Sequence, residues 1–305
     1  MDPESKTLQA AVPRLLMQQH KYPEIVVDCG CEIGENPIWH PLENRLYWCD
    51  IPQGRIFRFD PATGIHEACY EGDAVGGFTI QSDGSLLLFM ARGAIKIFNK
   101  GKMTTVIREI EAERNSRFND VIADTRGRVF CGTMSTTRCK GRLYRLDLDG
   151  KLHVVLENIG CSNGMAFSLD RKRMYYTDSD AREIYIFDYR EDTGELSNQR
   201  IFAKVDEGDG LPDGATIDAE DGLWSARWDG GCIVRYLPTG ELDRRVEIPA
   251  RKASSLTFGG VSYTNLYITT AGGQDKKIEG RAAGSLLKFT PGFQGIPEFA
   301  SRIML

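Results

Sequence analysis

The sequence predicts an all-β chain that folds as a six-bladed β-propeller. Its strand patterns recur at intervals of about 40 to 50 residues, the length of a four-stranded propeller blade. Aromatic-rich strands begin near Leu46, Leu86, Val129, Met174, Leu223 and Leu266. Each is followed by a second apolar strand and a glycine turn, as in residues 55–60 before Thr63-Gly64. No helical pattern separates these strands, as the crossovers of parallel strands would require, so the sheets are expected to be antiparallel.

Two segments precede the first repeat. Residues of about 5 to 20 have the pattern of a helix that is interrupted at Pro13. We therefore divide the chain into an N-terminal helical extension, residues 1–22, and a six-bladed propeller domain, residues 23–305. Glu24-Ile25-Val26-Val27-Asp28 has the pattern of a strand. We expect this strand to pair into the last blade and close the ring.

Composition limits the partners of the chain. It has 305 residues with a formal net charge of -5, and its 38 Lys and Arg are mixed with 43 Asp and Glu. This charge balance provides no basic face for nucleic acid or anionic lipid, so neither partner is expected. The sequence contains no apolar run of transmembrane length and no signal-like N-terminus. We therefore expect a cytoplasmic protein, a monomer or weak dimer, without a membrane partner.

The eight cysteines are expected to be mostly buried thiols. Cys49, Cys69, Cys131 and Cys232 lie inside or beside strand patterns, where a small apolar side chain fits. They are not arranged as ligand-spaced pairs. Cys29-Gly30-Cys31 is too closely spaced to predict a zinc site or a disulfide.

Four repeats carry a side chain with an oxygen atom at the same place, roughly ten residues before the aromatic-rich strand. These residues are Glu35, Asn119, Asn163 and Asp213. A lone Asp-Gly or Asn-Gly pair is usually only a turn. Equivalent repeats, however, put equivalent residues at equivalent places in the ring. The four in register therefore predict that their oxygens converge on one point.

Motifs along nearly the whole chain carry a family resemblance. They are Gly34-Glu35-Asn36-Pro37-Ile38-Trp39, Arg117-Phe118-Asn119-Asp120, Gly132-Thr133-Met134, Ser162-Asn163-Gly164, Pro212-Asp213-Gly214 and Phe258-Gly259-Gly260. In these motifs the chain resembles the gluconolactonase/regucalcin (senescence-marker, luciferin-regenerating) β-propellers. The resemblance implies a divalent metal on the propeller axis held by Glu35, Asn163 and Asp213. It also implies that Asn119 lies beside the metal and that Arg117 faces the substrate.

The chain departs from the family pattern in two places that bear on substrate preference. Ser135-Thr136-Thr137 stands where regucalcin-like sequences carry acidic residues, and Val121 replaces a usual glycine.

Carboxylate and amide oxygens favour one hard divalent cation, Ca²⁺, Mg²⁺ or Mn²⁺, with Zn²⁺ and Fe²⁺ also compatible. Three protein ligands would leave positions open for water or substrate, as in catalytic sites. We therefore expect hydrolysis of a sugar lactone of the gluconolactone or pentonolactone type, with Asp213 as the base or metal-bound hydroxide in its place. Arg117 would bind sugar hydroxyls, unless it forms a strand-end salt bridge. Asn119 would position water or a hydroxyl.

Two other functions remain open at this point: a calcium-binding regulatory propeller without turnover and a phosphotriesterase-like hydrolase. Serine-histidine catalysis is disfavoured. Gly160-Cys161-Ser162-Asn163-Gly164 matches a nucleophile elbow, but a helix should follow the serine and a histidine should come later. All four histidines (His20, His40, His66 and His153) precede Ser162. Asp147-Leu148-Asp149-Gly150 lacks the remaining ligands of a calcium loop and is interpreted as a hairpin turn.

Overall fold

The computed structural model describes residues 22–305, which form the predicted six-bladed β-propeller. These residues contain 24 strands in six antiparallel four-stranded sheets. The helix predicted within the N-terminal extension lies outside the described residues. Within residues 22–305, no helix has the length and apolar character needed to cross a membrane.

The strands run outward from the propeller axis in chain order. After β1 (Glu24–Val27), blade 1 contains β2 (Gly34–His40), β3 (Arg45–Asp50), β4 (Arg55–Asp60) and β5 (Ile65–Glu71). Blade 2 contains β6 (Val75–Ile80), β7 (Leu86–Met90), β8 (Ile95–Asn99) and β9 (Lys102–Ile107). Blade 3 contains β10 (Phe118–Ala123), β11 (Val129–Thr133), β12 (Gly141–Leu146) and β13 (Leu152–Ile159).

The second half of the ring follows the same plan. Blade 4 contains β14 (Ser162–Phe167), β15 (Arg173–Asp178), β16 (Glu183–Arg190) and β17 (Glu195–Lys204). Blade 5 contains β18 (Leu211–Ile217), β19 (Leu223–Trp228), β20 (Cys232–Tyr236) and β21 (Leu242–Glu247). Blade 6 contains β22 (Ala253–Gly259), β23 (Asn265–Thr270) and β24 (Leu286–Phe289). A short helix, α1 (Lys276–Glu279), lies between β23 and β24, and 3₁₀ turns occupy residues 111–113, 207–209 and 273–275.

The first described strand completes the last blade, as predicted. β1 pairs antiparallel with β24, with Ile25 opposite Leu287. The two ends of the repeat region are thus joined by main-chain hydrogen bonds. β1 covers the outward edge of β24, which would otherwise present unpaired main-chain groups to other chains.

Apolar side chains fill the spaces between neighbouring blades. Phe130 of blade 3 packs with Phe167 and Tyr189 of blade 4, and the latter two ring centroids lie 4.7 Å apart. The other blade interfaces are filled by similar clusters of strand residues. The aromatic-rich second strands are therefore buried because both faces of each sheet contact another sheet.

We call the end of the ring where the innermost strands begin the upper face and the opposite end the lower face. Residues 291–303, the C-terminal strap, cross the lower face. Gly295 N donates to Tyr263 O of blade 6, and Ser301 N donates to Ile80 O of blade 2. Arg302 N then donates to Gly127 O of blade 3. The strap therefore connects blades that are not neighbours in sequence.

The pairing of the innermost strand with the second strand shifts near the upper face in all six blades. The shifts fall between Glu35/Ile38, Val75/Gly77, Phe118/Val121, Asn163/Met165, Pro212/Ala215 and Ala253/Ser255. A register shift of this kind is a β-bulge, which bends a strand and redirects its side chains. The repeated sequence motifs predicted in four of the blades coincide with these bulges.

The packing of the strap generates a stability prediction. Ile303 is fully buried among apolar residues of blades 2 and 3, whereas Met304 is 59% exposed. We expect Ile303→Ala to lower the free energy of unfolding by about 2 to 5 kcal/mol, because it leaves a cavity in the core. Met304→Ala should change it by less than about 0.5 kcal/mol. Urea unfolding of both variants measures the difference, and equally small effects would mean that the strap does not stabilise the ring.

Candidate active site

A cavity of about 380 Å³ opens at the upper end of the propeller axis. All five residues singled out from the sequence line it: Glu35, Arg117, Asn119, Asn163 and Asp213. They come from the innermost strands of blades 1, 3, 4 and 5 or from the residue just before such a strand. The structure thus brings together the side chains that were expected to converge.

Glu35 and Asp213 are buried carboxylates whose charges repel each other. Burial raises the pKa of Glu35 to about 8, and repulsion from Asp120 adds to the rise. Burial also raises the pKa of Asp213 well above its usual range, with further contributions from Glu35 and Asp120. Arg117 partly offsets both shifts. The unliganded protein therefore holds these two carboxylates at an electrostatic cost.

A hard divalent cation fits this donor set. Two carboxylates and the amide oxygen of Asn163 line one cavity, and a cation among them would replace repulsion with attraction. Only two of these donors are acidic. This agrees with the finding that, within residues 22–305, no three His, Cys, Asp or Glu side chains are grouped as metal ligands.

A chain of hydrogen bonds fixes the two amides. Arg117 Nη1 donates to Asn119 Oδ1 over 2.6 Å, and Asn119 Nδ2 donates to Asn163 Oδ1 over 2.7 Å. Asn163 Nδ2 donates to Ser179 Oγ over 2.8 Å. The Ser179 hydroxyl in turn donates to Pro212 O over 2.5 Å. The chain starts in blade 3, passes through blade 4 and ends in blade 5 beside Asp213.

The direction of this chain follows from its two ends. A carbonyl oxygen can only accept, so the Ser179 hydroxyl must donate to Pro212 and can accept from Asn163. A guanidinium can only donate, so Asn119 must turn its oxygen toward Arg117. Both ends therefore require Asn163 to direct its amide nitrogen to Ser179 and its oxygen to the side of Asn119. The oxygen of Asn163 is then the atom available as a ligand.

Arg117 is half-buried, and within residues 22–305 it does not form the strand-end salt bridge that the sequence left open. Its Nη1 donates to Phe118 O over 2.9 Å and to Asn119 Oδ1. Because Nη1 makes both of these bonds, Nη2 and Nε are the donors that a ligand in the cavity can use. The guanidinium is therefore both a support for Asn119 and a candidate binding group.

The rest of the cavity wall is largely apolar. Ile33, Met134, Leu211 and Trp228 contribute to it, with Ser135 and Asp180 as further polar residues. Lys252 Nζ lies 5.6 Å from the centre of the Trp228 ring and bonds Glu279 of α1 at 2.5 Å. The helix between β23 and β24 thus supports one side of the cavity through Lys252.

Sequence reasoning missed Ser179, Cys161 and Trp228, which also line the cavity. Trp228 is the last residue of β19, and Ser179 follows the last residue of β15. Their place in the repeat could have identified both residues, because the upper end of the second strand lies beside the upper end of the innermost strand in every blade. Cys161 precedes the Ser162-Asn163-Gly164 motif by one residue and contacts both amides through its sulfur, at 3.6 and 3.8 Å.

Other features of the sequence lie away from the cavity or play a smaller part. His40, His66 and His153 do not line it, and His20 falls outside the described residues. Of the departures from the family pattern, Ser135 lines the cavity. Val121 is buried in the apolar cluster between blades 2 and 3.

Comparison with known proteins gives one consistent result. Residues 33–272 match the model of the SMP-30/gluconolactonase/LRE-like region. A pentonolactonase of Haloferax volcanii is 45% identical over 287 residues, which cover 92% of this chain and 98% of that protein. Among solved structures, luciferin-regenerating enzyme is 28% identical with a TM-score of 0.84, covering 92% of this chain and all of that one. A calcium-binding regucalcin of Agrobacterium tumefaciens has a TM-score of 0.86 at 21% identity, covering 92% and 97%.

Proposed function

This chain belongs to the SMP-30/gluconolactonase/LRE-like family, and on that premise we propose that it is a divalent-metal-dependent hydrolase of sugar-acid lactones. The substrate class is that of gluconolactone or a pentonolactone, opened to the aldonic acid. The observation that carries the proposal is the pair of buried, mutually repelling carboxylates, Glu35 and Asp213, in one cavity with Arg117. The name of the Haloferax relative, at 45% identity over nearly its whole length, supports a lactone substrate.

Glu35, Asn163 and Asp213 would hold the cation through their side-chain oxygens. When bound, a divalent cation would polarise the lactone carbonyl and stabilise the charge that develops on its oxygen. Ca²⁺, Mg²⁺ and Mn²⁺ suit such a donor set, and Zn²⁺ and Fe²⁺ are also compatible with the two carboxylates.

Asp213 is our candidate base. A carboxylate that lines the substrate cavity can accept a proton from a water molecule bound there. Water adds to the carbonyl carbon as Asp213 takes one of its protons, and the ring carbon-oxygen bond then breaks. That proton ends on the ring oxygen, which becomes a hydroxyl, and the carbonyl carbon becomes the carboxyl group of the aldonic acid, which releases its own proton to solvent and becomes a carboxylate.

Arg117 and Asn119 would bind and orient the substrate. The free donors of Arg117 suit sugar hydroxyls, and a guanidinium keeps its charge at any physiological pH. Asn119 is held at both ends by hydrogen bonds and so offers a fixed polar edge. The cavity, at about 380 Å³, is within the range of small-molecule sites.

A calcium-binding propeller without turnover is the alternative, and hard oxygen donors are compatible with it. Arg117 argues for the enzyme, because a site that only binds calcium has no use for a cationic residue at its mouth. Proton release from a panel of aldonolactones, with and without chelator, separates the two functions. We expect turnover that chelator abolishes, and the absence of chelator-sensitive turnover on every lactone would reject the lactonase.

The same assay tests the ligands. Glu35→Ala should abolish turnover and lower the affinity for Ca²⁺ or Mn²⁺. The loss of affinity should exceed the roughly 10 to 100-fold loss that is typical when a residue that only orients a ligand is mutated. Asp180→Asn is the matched control, because Asp180 also lines the cavity but is exposed. Its affinity for the cation should stay close to that of the unmodified chain. An unchanged calorimetric affinity in Glu35→Ala would exclude Glu35 as a ligand.

A second prediction concerns Ser179, which we regard as a positioning residue for Asn163. Ser179→Ala removes the acceptor of Asn163 Nδ2 and should weaken cation affinity by about 10 to 100-fold. Thr177→Val is the control, since the buried Thr177 hydroxyl two residues away has no hydrogen-bond partner within residues 22–305. Calorimetric titration of metal-free proteins measures both affinities. If the two variants lose affinity equally, Ser179 has no specific role in orienting Asn163.

A third prediction concerns Arg117. Arg117→Ala should lower kcat/KM for a polyhydroxylated lactone, because it removes one or two charged hydrogen bonds to the substrate. Each bond is expected to stabilise the transition state by about 1.5 to 3 kcal/mol. A lactone without ring hydroxyls should lose less, because it is affected only by the loss of support for Asn119 and not by the loss of direct hydrogen bonds to the substrate. Arg92→Ala, which removes an exposed guanidinium paired with Glu109, serves as the control. Equal losses on both lactones in Arg117→Ala would assign the residue a structural role.

A further inference from the structure

The closely spaced cysteines of the Cys29-Gly30-Cys31 segment form a thiol pair. Their spacing in the sequence alone predicted no disulfide, but the structure places the two sulfur atoms 3.3 Å apart, at hydrogen-bonding distance. Gly30 has φ +60°, a left-handed conformation that turns the chain between them. Cys29 is half-buried and Cys31 is buried. The outer thiol is thus within reach of small molecules and the inner one lies directly behind it.

The surroundings of the pair make the two thiols unequal. A hydrogen bond from Cys31 lowers the pKa of Cys29, although burial opposes the shift. The hydrogen bond with Cys29, burial and the nearby Asp50 raise the pKa of Cys31. Cys29 is therefore the thiol that ionises first, with Cys31 as its hydrogen-bond donor.

Two further groups face the sulfurs. The Trp48 indole nitrogen is buried and has no hydrogen-bond partner within residues 22–305, so its N–H is free to stabilise a thiolate. Arg55 interacts electrostatically with both cysteines, and its guanidinium is held by Asp50 over 2.7 Å. A neighbouring cation and a nearby donor are the features that distinguish reactive cysteines from inert buried ones.

We propose that Cys29 and Cys31 are a redox-active dithiol, a site that hydroperoxides oxidise to an intramolecular disulfide. The Cys29 thiolate attacks the peroxide oxygen, which gives a sulfenic acid at Cys29 and releases hydroxide or an alkoxide. The Cys31 thiol then attacks the Cys29 sulfur, a sulfur–sulfur bond forms and water leaves. The peroxide is reduced by two electrons, and the two thiols together lose two protons and two electrons. A dithiol reductant reverses the change.

The six other cysteines lack a second thiol within hydrogen-bonding distance. Cys49, Cys131 and Cys232 are buried, and burial raises the pKa of the half-buried Cys69 to about 11. Cys139 and Cys161 are also half-buried, but their sulfur atoms contact a threonine hydroxyl and two asparagine amides, respectively. Cys69 is therefore a matched internal control, with similar exposure to Cys29 but no second thiol beside it.

The dithiol lies where the ring closes. It follows β1, and Cys29 Sγ donates to Gly284 O, the residue that precedes the last strand of the ring by two positions. Cys31 N also donates to Gly284 O, and Cys31 O accepts from Gly273 N. Two residues further along, Ile33 lines the upper cavity. A covalent change at the dithiol would therefore occur at the joint between the closing strand and blade 1.

The test is peroxide oxidation of the reduced full-length protein, followed by alkylation of free thiols and peptide mass spectrometry. Cys29 and Cys31 share the tryptic peptide that spans residues 22–45. We expect this peptide to lose two hydrogen atoms and to be no longer alkylated at either cysteine. The reaction should be at least about ten times faster than oxidation of Cys69, whose pKa is higher, because the thiolate fraction falls tenfold for each unit of pKa. Dithiothreitol should restore both sites.

Two variants separate the steps. In Cys31→Ser, or in Cys31→Ala if serine disturbs the packing, the Cys29 sulfenic acid should persist and be captured by dimedone. In Cys29→Ser, Cys31 should remain a free thiol. Cys29 oxidation no faster than that of Cys69, or oxidation of Cys31 in the absence of Cys29, would overturn the proposal. None of these readouts depends on lactone turnover, so they are independent of the proposed catalytic function.

Discussion

Both faces of every sheet in the ring are covered by neighbouring sheets, and this constraint governs how a site can form on the axis. Side chains of a regular strand point to the two faces of its sheet, which here means into the apolar layers between blades. The free edge of the innermost strand therefore presents main-chain groups, not side chains, to the axis. A polar side chain can reach the axis only where the regular pairing is interrupted. The register shifts near the upper face supply this interruption in all six blades, and the candidate ligands stand at them.

This arrangement also explains how much the sequence could reveal. Strand periodicity and glycine turns predicted the six blades and the closure by β1, and the structure confirmed both. Asp213 and Asn163 could be found because they lie inside a repeated motif, so their place in one repeat predicts their place in the ring. Ser179 could not be found this way, since its importance lies in bonds to Asn163 and to Pro212 in the next blade. Contacts between blades depend on the twist of the ring, which a strand pattern does not contain.

The hydrogen-bond chain from Arg117 to Pro212 shows how separate blades act as one site. Each amide in it could be rotated by half a turn without changing its shape, and only its partners decide which end faces the axis. These partners belong to three blades. When the donors of a site are already fixed, they do not have to reorient as charge develops during a reaction. Water molecules must reorient, and this difference is the main electrostatic advantage of an enzyme over water. In the proposed hydrolase, the rigidity of the packed blades would therefore contribute to stabilising the transition state.

The C-terminal strap has a consequence for biosynthesis. Blades 1 to 5 are each built from consecutive residues, so each can pair its strands soon after it leaves the ribosome. Blade 6 cannot, because β1 is made first and its partner β24 is made almost last. The strap, which joins blade 6 to blades 2 and 3 across the lower face, emerges later still. During translation the growing chain must hold an open arc of blades with β1 unpaired, and the ring becomes a single cooperative unit only after β24 and the strap have been made.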